Sequence, residues 1–177
     1  MDSCEPCRFV YADVAAQALP ERLASFGPRY RARLLPLSRP AAWHTMVRTR
    51  PATDVWSALE YACHVRDVFL TLRDRLYTVL VEDNPVVAPM YREHRVILGR
   101  YNEQDPEEVA DQLATAARLI AQAFAALDSA QLARLCVYPF PVRTERSVLW
   151  MGQHAIHEGE HHLRDVESVM TRVYATA

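Results

Sequence analysis

The sequence contains no lysine, so all 20 of its basic residues are arginines. This absence excludes Schiff-base chemistry and a phosphate-binding loop of the lysine-containing type. The formal net charge is −2, which argues against nucleic acid as a partner, because such proteins carry a basic excess. Glycine occurs only 4 times in 177 residues, and the frequent alanines favour helix.

No apolar run approaches the length of about 18 residues that a transmembrane helix requires. The N-terminus, Met1-Asp2-Ser3-Cys4, has neither the basic nor the apolar region of a signal peptide. We therefore expect a cytoplasmic protein without a membrane partner. The 4 cysteines should then be reduced. Cys63 and Cys136 have apolar neighbours and are predicted to be core residues.

Cys4-Glu-Pro-Cys7 is a CxxC motif with three open interpretations. It could belong to a mobile tail, it could be a metal clip completed by distant residues or another chain, or it could act in redox sensing. A zinc site needs about four ligands, and no second CxxC or HxxxH lies nearby in the sequence.

Apolar residues recur every three and four positions in four long segments, which is typical of amphipathic helices. The predicted helices run from Pro20 to about Leu37 with a kink near Gly27-Pro28, from Val55 to about Val81 after a cap at Thr53 or Asp54, from Pro106 through Leu127 after a cap at Asp105, and from about Ser147 to Tyr174. A short helix is expected at Arg92–Tyr101, and segment 136–146 should be extended. The prediction is an all-α four-helix bundle over residues 18–177, preceded by a lead-in over residues 1–17 that holds the CxxC motif.

Four of the 7 histidines fall between His154 and His162 on the predicted fourth helix. They and a glutamate form three pairs spaced four residues apart, which places both members of each pair on one helix face. Two such side chains can reach one metal ion. The pairs are His154/Glu158, His157/His161 and Glu158/His162.

Helical periodicity ranks these pairs. With about 100° per residue, Glu158 and His162 fall on the apolar side of the helix, where Gly159 would leave room beside them. Burying Glu158 without a partner would be costly, which favours a metal ligand. His157 and His161 fall about 120–160° away and should face solvent. They also spell the HExxH motif of zinc proteases, a rival interpretation that this outward direction disfavours.

His64, midway along the second helix, is the best candidate for a third ligand. Its neighbours Tyr61 and Val68 lie at the apolar margin, so spacing alone leaves its direction open. His44 and His94 are predicted to lie in loops at the surface.

His64 on the second helix, followed by His157-Glu158 and His161-His162-Leu-Arg-Asp165 on the fourth, resembles the DinB-like superfamily. That superfamily includes bacillithiol and mycothiol S-transferases and mycothiol-dependent maleylpyruvate isomerase. The resemblance implies an up-down-down-up bundle with long connections between helices two and three and between helices three and four. It also implies a divalent ion, nickel or zinc, held by three side chains.

The usual pattern of that superfamily is one histidine on helix two and an HxxxH pair on helix four. Here Glu158 stands four residues before His162, and a His/Glu/His set resembles the isomerase branch. The predicted ligands are thus His64, Glu158 and His162, with His157/His161 as the alternative pair. Asp165, Glu60 and His154 are expected to hold the ligands in place.

Three protein ligands leave a coordination position for water or a thiol. The predicted function is transfer of a low-molecular-weight thiol, such as mycothiol, to a small electrophile, or thiol-dependent isomerisation. Tyr61 and Arg66 are the candidate substrate-binding residues, and Arg92, Arg95 and Arg100 could also hold a carboxylate. The competing interpretations are a non-catalytic metal-binding bundle that forms a homodimer and a scaffold without a metal.

Overall fold

The computed structural model describes residues 3–139 and 142–176, and Met1, Asp2, Phe140, Pro141 and Ala177 lie outside the described residues. The helices are α1 (Leu19–Ala24), α2 (Phe26–Leu34), α3 (Trp43–Met46), α4 (Ala58–Val81), α5 (Arg92–Leu98), α6 (Pro106–Ala125), α7 (Ser129–Ala133) and α8 (Val148–Thr176). The strands are β1 (Ser3–Cys4), β2 (Phe9–Val10), β3 (Leu135–Tyr138) and β4 (Thr144–Ser147). Short 3-10 turns occupy Tyr11–Asp13, Ala16–Ala18 and Tyr101–Glu103.

Four long helical segments form the bundle. The first segment is α1 followed by α2, and the others are α4, α6 and α8. The first segment packs on α6 and α8, and α4 also packs on α6 and α8. The apolar sides of these helices enclose one continuous core that includes Phe26, Phe69 and Leu113. No helix among the described residues is long and apolar enough to cross a bilayer.

Local sequence explains where the central helices begin. Asp105 accepts hydrogen bonds from the backbone N–H groups of Glu107 and Glu108, and Pro106 occupies the first helical position, as predicted. The second long helix begins three residues later than predicted, because Ser57 and Glu60 form a reciprocal capping box. Neither Thr53 nor Asp54 is the cap of α4.

The predicted first helix is interrupted. It comprises α1 and α2, which meet at Ser25, and it ends at Leu34 rather than at about Leu37. The structure is mostly helical, as predicted, and it adds two small antiparallel hairpins in which β1 pairs with β2 and β3 pairs with β4. Segment 136–146 is extended as predicted, apart from Phe140 and Pro141, which lie outside the described residues.

The close packing of α8 on the first segment depends on a glycine. A Cβ added to Gly159 would lie 2.5 Å from Cζ of Phe26. The Tyr30 hydroxyl donates a hydrogen bond to the Gly159 carbonyl oxygen at 2.9 Å. The space that Gly159 leaves is therefore occupied by the Phe26 ring, and it is not room beside the candidate ligands.

Candidate metal centre

Helices α4 and α8 bring His64, Glu158 and His162 together, with one ligand atom from each within 4.8 Å of the others. His64 Nε2 and His162 Nε2 each lie 3.5 Å from Glu158 Oε2. The exposed fractions of the three side chains are 4%, 18% and 12%. The group is thus largely withdrawn from water, and it contains two imidazoles and one carboxylate.

Asp165 orients His162 through a short contact on the same helix. His162 Nδ1 lies 2.8 Å from Asp165 Oδ2, so the other ring nitrogen faces Glu158. Burial alone would lower the pKa of His162, but its contacts with Asp165 and Glu158 raise that pKa to about 9. A carboxylate behind an imidazole is the usual support of a metal-ligating histidine, because it fixes both tautomer and ring orientation.

Glu158 is an ionised carboxylate in a buried position. Burial raises its pKa, but contacts with His157, His162 and His64 more than offset this and hold the pKa well below the ordinary range. His157 Nδ1 lies 3.3 Å from Glu158 Oε1, and His154 Nε2 lies 3.9 Å from the same oxygen. The carboxylate is therefore surrounded by nitrogen atoms.

His64 is held by aromatic contacts. The Trp56 ring meets it edge-on with centroids 5.2 Å apart, and Tyr61 stacks on His162 at 5.3 Å. Burial lowers the pKa of His64, which favours the neutral imidazole that a metal requires. Its Nδ1 is buried and has no hydrogen-bond partner among the described residues.

A cavity of about 450 Å³ opens beside this group, and its wall includes His64, Glu158 and His154. Much of the remaining wall is apolar, including Val68, Leu72 and Met90. Three further side chains of the wall add cationic or hydrogen-bonding groups: Arg75, Arg92 and Tyr138. The cavity is large enough for a small molecule next to the three candidate ligands.

Two residues predicted to serve this site have other contacts. Glu60 is bound to Arg50 Nη2 at 2.6 Å and to the Ser57 backbone N–H at 2.8 Å, so its carboxylate caps a helix instead of orienting His64. Arg66 does not line the described cavity wall. Its guanidinium donates hydrogen bonds to Gln104 and Gln112, which explains its burial without a substrate.

Of the three other candidate arginines, one lines the cavity and two form ion pairs elsewhere. Arg92 lines the cavity, whereas Arg95 pairs with Asp67 at 3.3 Å and Arg100 pairs with Glu103. His44 and His94 are exposed, as predicted, but they lie in short helices and not in loops.

The prediction that His157 and His161 face solvent is wrong for His157, which is only 7% exposed. The lead-in segment covers it. The Phe9 and Tyr11 rings lie 5.4 and 5.5 Å from the His157 ring. The lead-in is therefore packed on α8, and the interpretation of a mobile tail does not hold for its described part.

Several site residues carried no signal in the sequence. The Tyr11 hydroxyl lies 3.1 Å from His154 Nδ1. Tyr11 belongs to a segment without a repeating apolar pattern, so the sequence does not predict this contact. Burial lowers the pKa of His154 to about 4, so this histidine stays neutral. Arg75 and Tyr138 reach the cavity from α4 and β3. Trp56 precedes the first turn of α4, where the helical pattern does not predict a direction.

Comparisons with known proteins agree with this architecture. The sequence model of the DinB superfamily matches residues 27–166. Among solved structures, YfiT from Bacillus subtilis is similar with a TM-score of 0.76 and 14% sequence identity, covering 89% of this chain and 86% of that one. YfiT is described as a probable metal-dependent hydrolase with an unusual four-helix bundle topology. No curated protein matches the chain. Because the family match spans most of the sequence, the chain belongs to the DinB superfamily.

Proposed function

We propose that this protein is a divalent-metal-dependent enzyme in which His64, Glu158 and His162 hold zinc or nickel and a low-molecular-weight thiol reacts with a small electrophile. One observation carries the proposal. Two imidazoles and an ionised carboxylate converge at the wall of a cavity of about 450 Å³.

The separations of the ligand atoms suit a metal ion. Bonds of about 2.0 Å in a tetrahedral site place neighbouring ligand atoms about 3.3 Å apart. His64 Nε2 and His162 Nε2 are each 3.5 Å from Glu158 Oε2. These distances are long for hydrogen bonds and close to those around a shared ion. The Nδ1 of His64 is buried and has no partner among the described residues. The Nε2 of His64, which faces Glu158, is therefore the nitrogen that would bind the metal ion.

Three protein ligands leave room in the coordination sphere, where a divalent ion would lower the pKa of a bound thiol or water and so supply a nucleophile. The chain's own residues prepare the site. Asp165 fixes the ring of His162, and Trp56 and Tyr61 limit the movement of the two imidazoles. The apolar wall excludes water and strengthens electrostatic interactions within the cavity.

The cavity wall indicates the class of substrate. Arg75 and Arg92 line it, and Arg75 is held at the wall by hydrogen bonds to the Tyr138 hydroxyl and the Ala88 carbonyl oxygen. A guanidinium in such a position can bind a carboxylate. We therefore propose a small electrophile that carries an acidic group, in keeping with the isomerase branch that the His/Glu/His set resembles.

The thiol should come from a co-substrate. No cysteine is among the described residues that line the cavity, so the chain itself offers no thiol nucleophile there. A free thiol, mycothiol or an equivalent compound, would share the cavity with the electrophile. Transfer then forms a new carbon–sulfur bond while the bond between that carbon and its leaving group breaks, and the thiol proton and the leaving group pass to solvent. Isomerisation adds the thiol to a double bond and later eliminates it, so that the thiol is regenerated.

Hydrolysis is the second candidate function. The likeness to YfiT, described as a probable metal-dependent hydrolase, favours it, and the same three ligands would serve to activate water. The two candidates differ in whether a thiol is required.

The test uses protein stripped with a chelator and then reloaded with zinc or nickel. Conjugation of thiols with monobromobimane and isomerisation of maleylpyruvate are assayed beside ester and amide hydrolysis without thiol. Thiol- and metal-dependent turnover is expected. Turnover that needs metal but no thiol would favour the hydrolase, and absence of any metal binding would refute both.

Glu158→Gln tests the ligand set. It should weaken metal binding by about 100-fold or more and abolish the metal-dependent turnover. Glu160→Gln is the matched control, because Glu160 lies on the same helix and pairs with Arg29. An unchanged metal affinity in Glu158→Gln would exclude Glu158 as a ligand and favour the pair His157/His161.

A further inference from the structure

Two cysteines and two histidines meet on the face of α8 adjacent to the candidate metal centre, where His157 Nδ1 lies 3.3 Å from Glu158 Oε1. Cys4 ends β1, Cys7 follows in the turn to β2, and His157 and His161 lie one helical turn apart. One ligand atom from each of the four lies within 4.8 Å of all the others. Cys4 Sγ is 3.7 Å from His161 Nδ1. The cysteine pair and the histidine pair, 157 positions apart from Cys4 to His161, thus form one compact group.

Two members of the group are withdrawn from water, and one of their nitrogen atoms has no hydrogen-bond partner in the described chain. Cys7 is 3% exposed and His157 is 7% exposed. His157 Nε2 is buried and has no hydrogen-bond partner among the described residues, whereas its Nδ1 lies 3.3 Å from Glu158 Oε1. A buried polar group without a partner destabilises a fold by about 1–3 kcal/mol. A metal cation bound by both the sulfur and the nitrogen atoms would remove this penalty.

A tight turn brings the two cysteines together. Arg8, directly after Cys7, has a positive φ of 55°, which closes the turn between β1 and β2. Both thiol groups can therefore reach one cation.

We propose that Cys4, Cys7, His157 and His161 form a second metal site, which binds Zn²⁺ with four protein ligands. The spacings are C-x2-C and H-x3-H, which are those of structural Cys₂His₂ zinc sites. Bonds of about 2.3 Å to sulfur and 2.0 Å to nitrogen place these atoms about 3.5 Å apart in a tetrahedron. The 3.7 Å between Cys4 Sγ and His161 Nδ1 is close to that separation.

This site would attach the lead-in to the bundle. Its four ligands leave no open position, which is the property of a structural and not a catalytic zinc site. Arg164 Nη1 already donates a hydrogen bond to the Cys7 carbonyl oxygen at 2.6 Å, so the turn has a second anchor on α8. The zinc would keep Phe9 and Tyr11 against His157. The inference shares no ligand with the proposed catalytic centre, and it stands without the proposed function.

Cobalt distinguishes the two sites, because a thiolate ligand gives Co²⁺ a charge-transfer band in the near ultraviolet that histidine and carboxylate ligands do not give. The protein, stripped of metal and kept reduced by a phosphine, is titrated with Co²⁺ and then with Zn²⁺. We expect the charge-transfer band together with the intense d–d bands of a tetrahedral site, and loss of both on addition of Zn²⁺. Cobalt bound without the charge-transfer band would overturn the proposal, as would the absence of binding.

Variants assign the band to residues. Cys4→Ser combined with Cys7→Ser should abolish the band and reduce the zinc content by about one ion per chain. Cys63→Ala is the matched control, because Cys63 is a buried cysteine packed between helices far from the group in the sequence. His64→Ala should keep the band, since it affects only the other centre. A band that survives the double cysteine variant, or that is lost in Cys63→Ala, would refute the assignment.

Discussion

Asp165 Oδ2 lies 2.8 Å from Nδ1 of His162, three residues earlier on α8. The same carboxylate oxygen is 3.7 Å from His161 Nε2. Asp165 therefore contacts one ligand of the candidate catalytic centre and one ligand of the proposed zinc site. Its closer contact is with His162, and this contact leaves Nε2 of His162 directed at Glu158.

Asp165→Asn should weaken metal binding at the candidate catalytic centre by about 10–100-fold, because the amide no longer fixes the His162 ring as a carboxylate does. The affinity is measured by competition with a chromophoric chelator. Glu167→Gln is the control, since Glu167 pairs with Arg33 at the surface of the same helix. Equal affinities in the two variants would show that the contact is incidental.

Gly159→Ala should destabilise the bundle by about 1–3 kcal/mol through overpacking. The new Cβ would meet the Phe26 ring at 2.5 Å, and this clash outweighs the gain of about 1 kcal/mol in helix propensity. The free energy of unfolding is measured by urea denaturation. Phe26→Leu in the same chain should recover part of the loss, so the two changes should not add. A Gly159→Ala variant more stable than the wild type would contradict this account of the packing.

The sequence predicts the long helices of the bundle better than the segments that pack on their outer sides. Continuous periodicity shows which side of a long helix is buried, so the predicted bounds of α6 and α8 agree with the observed ones within a few residues. The same periodicity placed Glu158 and His162 on the inner side of α8, where the structure also has them. Their role as ligands remains a prediction.

Periodicity does not report what covers the outer side of a helix. Periodicity predicts that His157 faces solvent, because the residues that cover it, Phe9 and Tyr11, lie in a short strand and a 3-10 turn without a repeating apolar pattern. For the same reason the CxxC motif and the second histidine pair could not be joined from sequence alone. Glu60 shows a different limit: the spacing toward His64 suits a hydrogen bond, but the capping box with Ser57 takes its carboxylate.

Ser57→Ala should lower the free energy of unfolding by about 1–2 kcal/mol, because the Ser57 side chain caps the Glu60 N–H at 3.1 Å. Its hydroxyl also donates to Asn102 Oδ1 at 2.7 Å. Asp54→Ala, at the position that the sequence suggested as the cap, should change stability by less than about 0.5 kcal/mol. Chemical denaturation of both variants distinguishes the two starts of α4, and a larger loss in Asp54→Ala would support the earlier one.

Glu160 couples stability to pH through Arg29, whose two Nη groups donate to its two carboxylate oxygens at 2.7 Å each. The hydrogen bonds from Arg29 lower the pKa of Glu160. A carboxyl group whose pKa is depressed by folding stabilises the fold above its unfolded pKa of about 4.3, and this stabilisation is lost as the pH falls through the folded pKa. Because both side chains are partly exposed, Glu160→Gln should cost about 1 kcal/mol at neutral pH.

The difference between wild type and Glu160→Gln should therefore be constant from about pH 7 to pH 5 and should shrink below about pH 4. Urea denaturation across this range, with a chelator present to exclude metal effects, measures it. Glu167→Gln provides the comparison, because its partner Arg33 is a surface residue and the pair is more exposed. A difference that does not change with pH would mean that the Glu160 side chain stabilises the fold by packing and not through its charge.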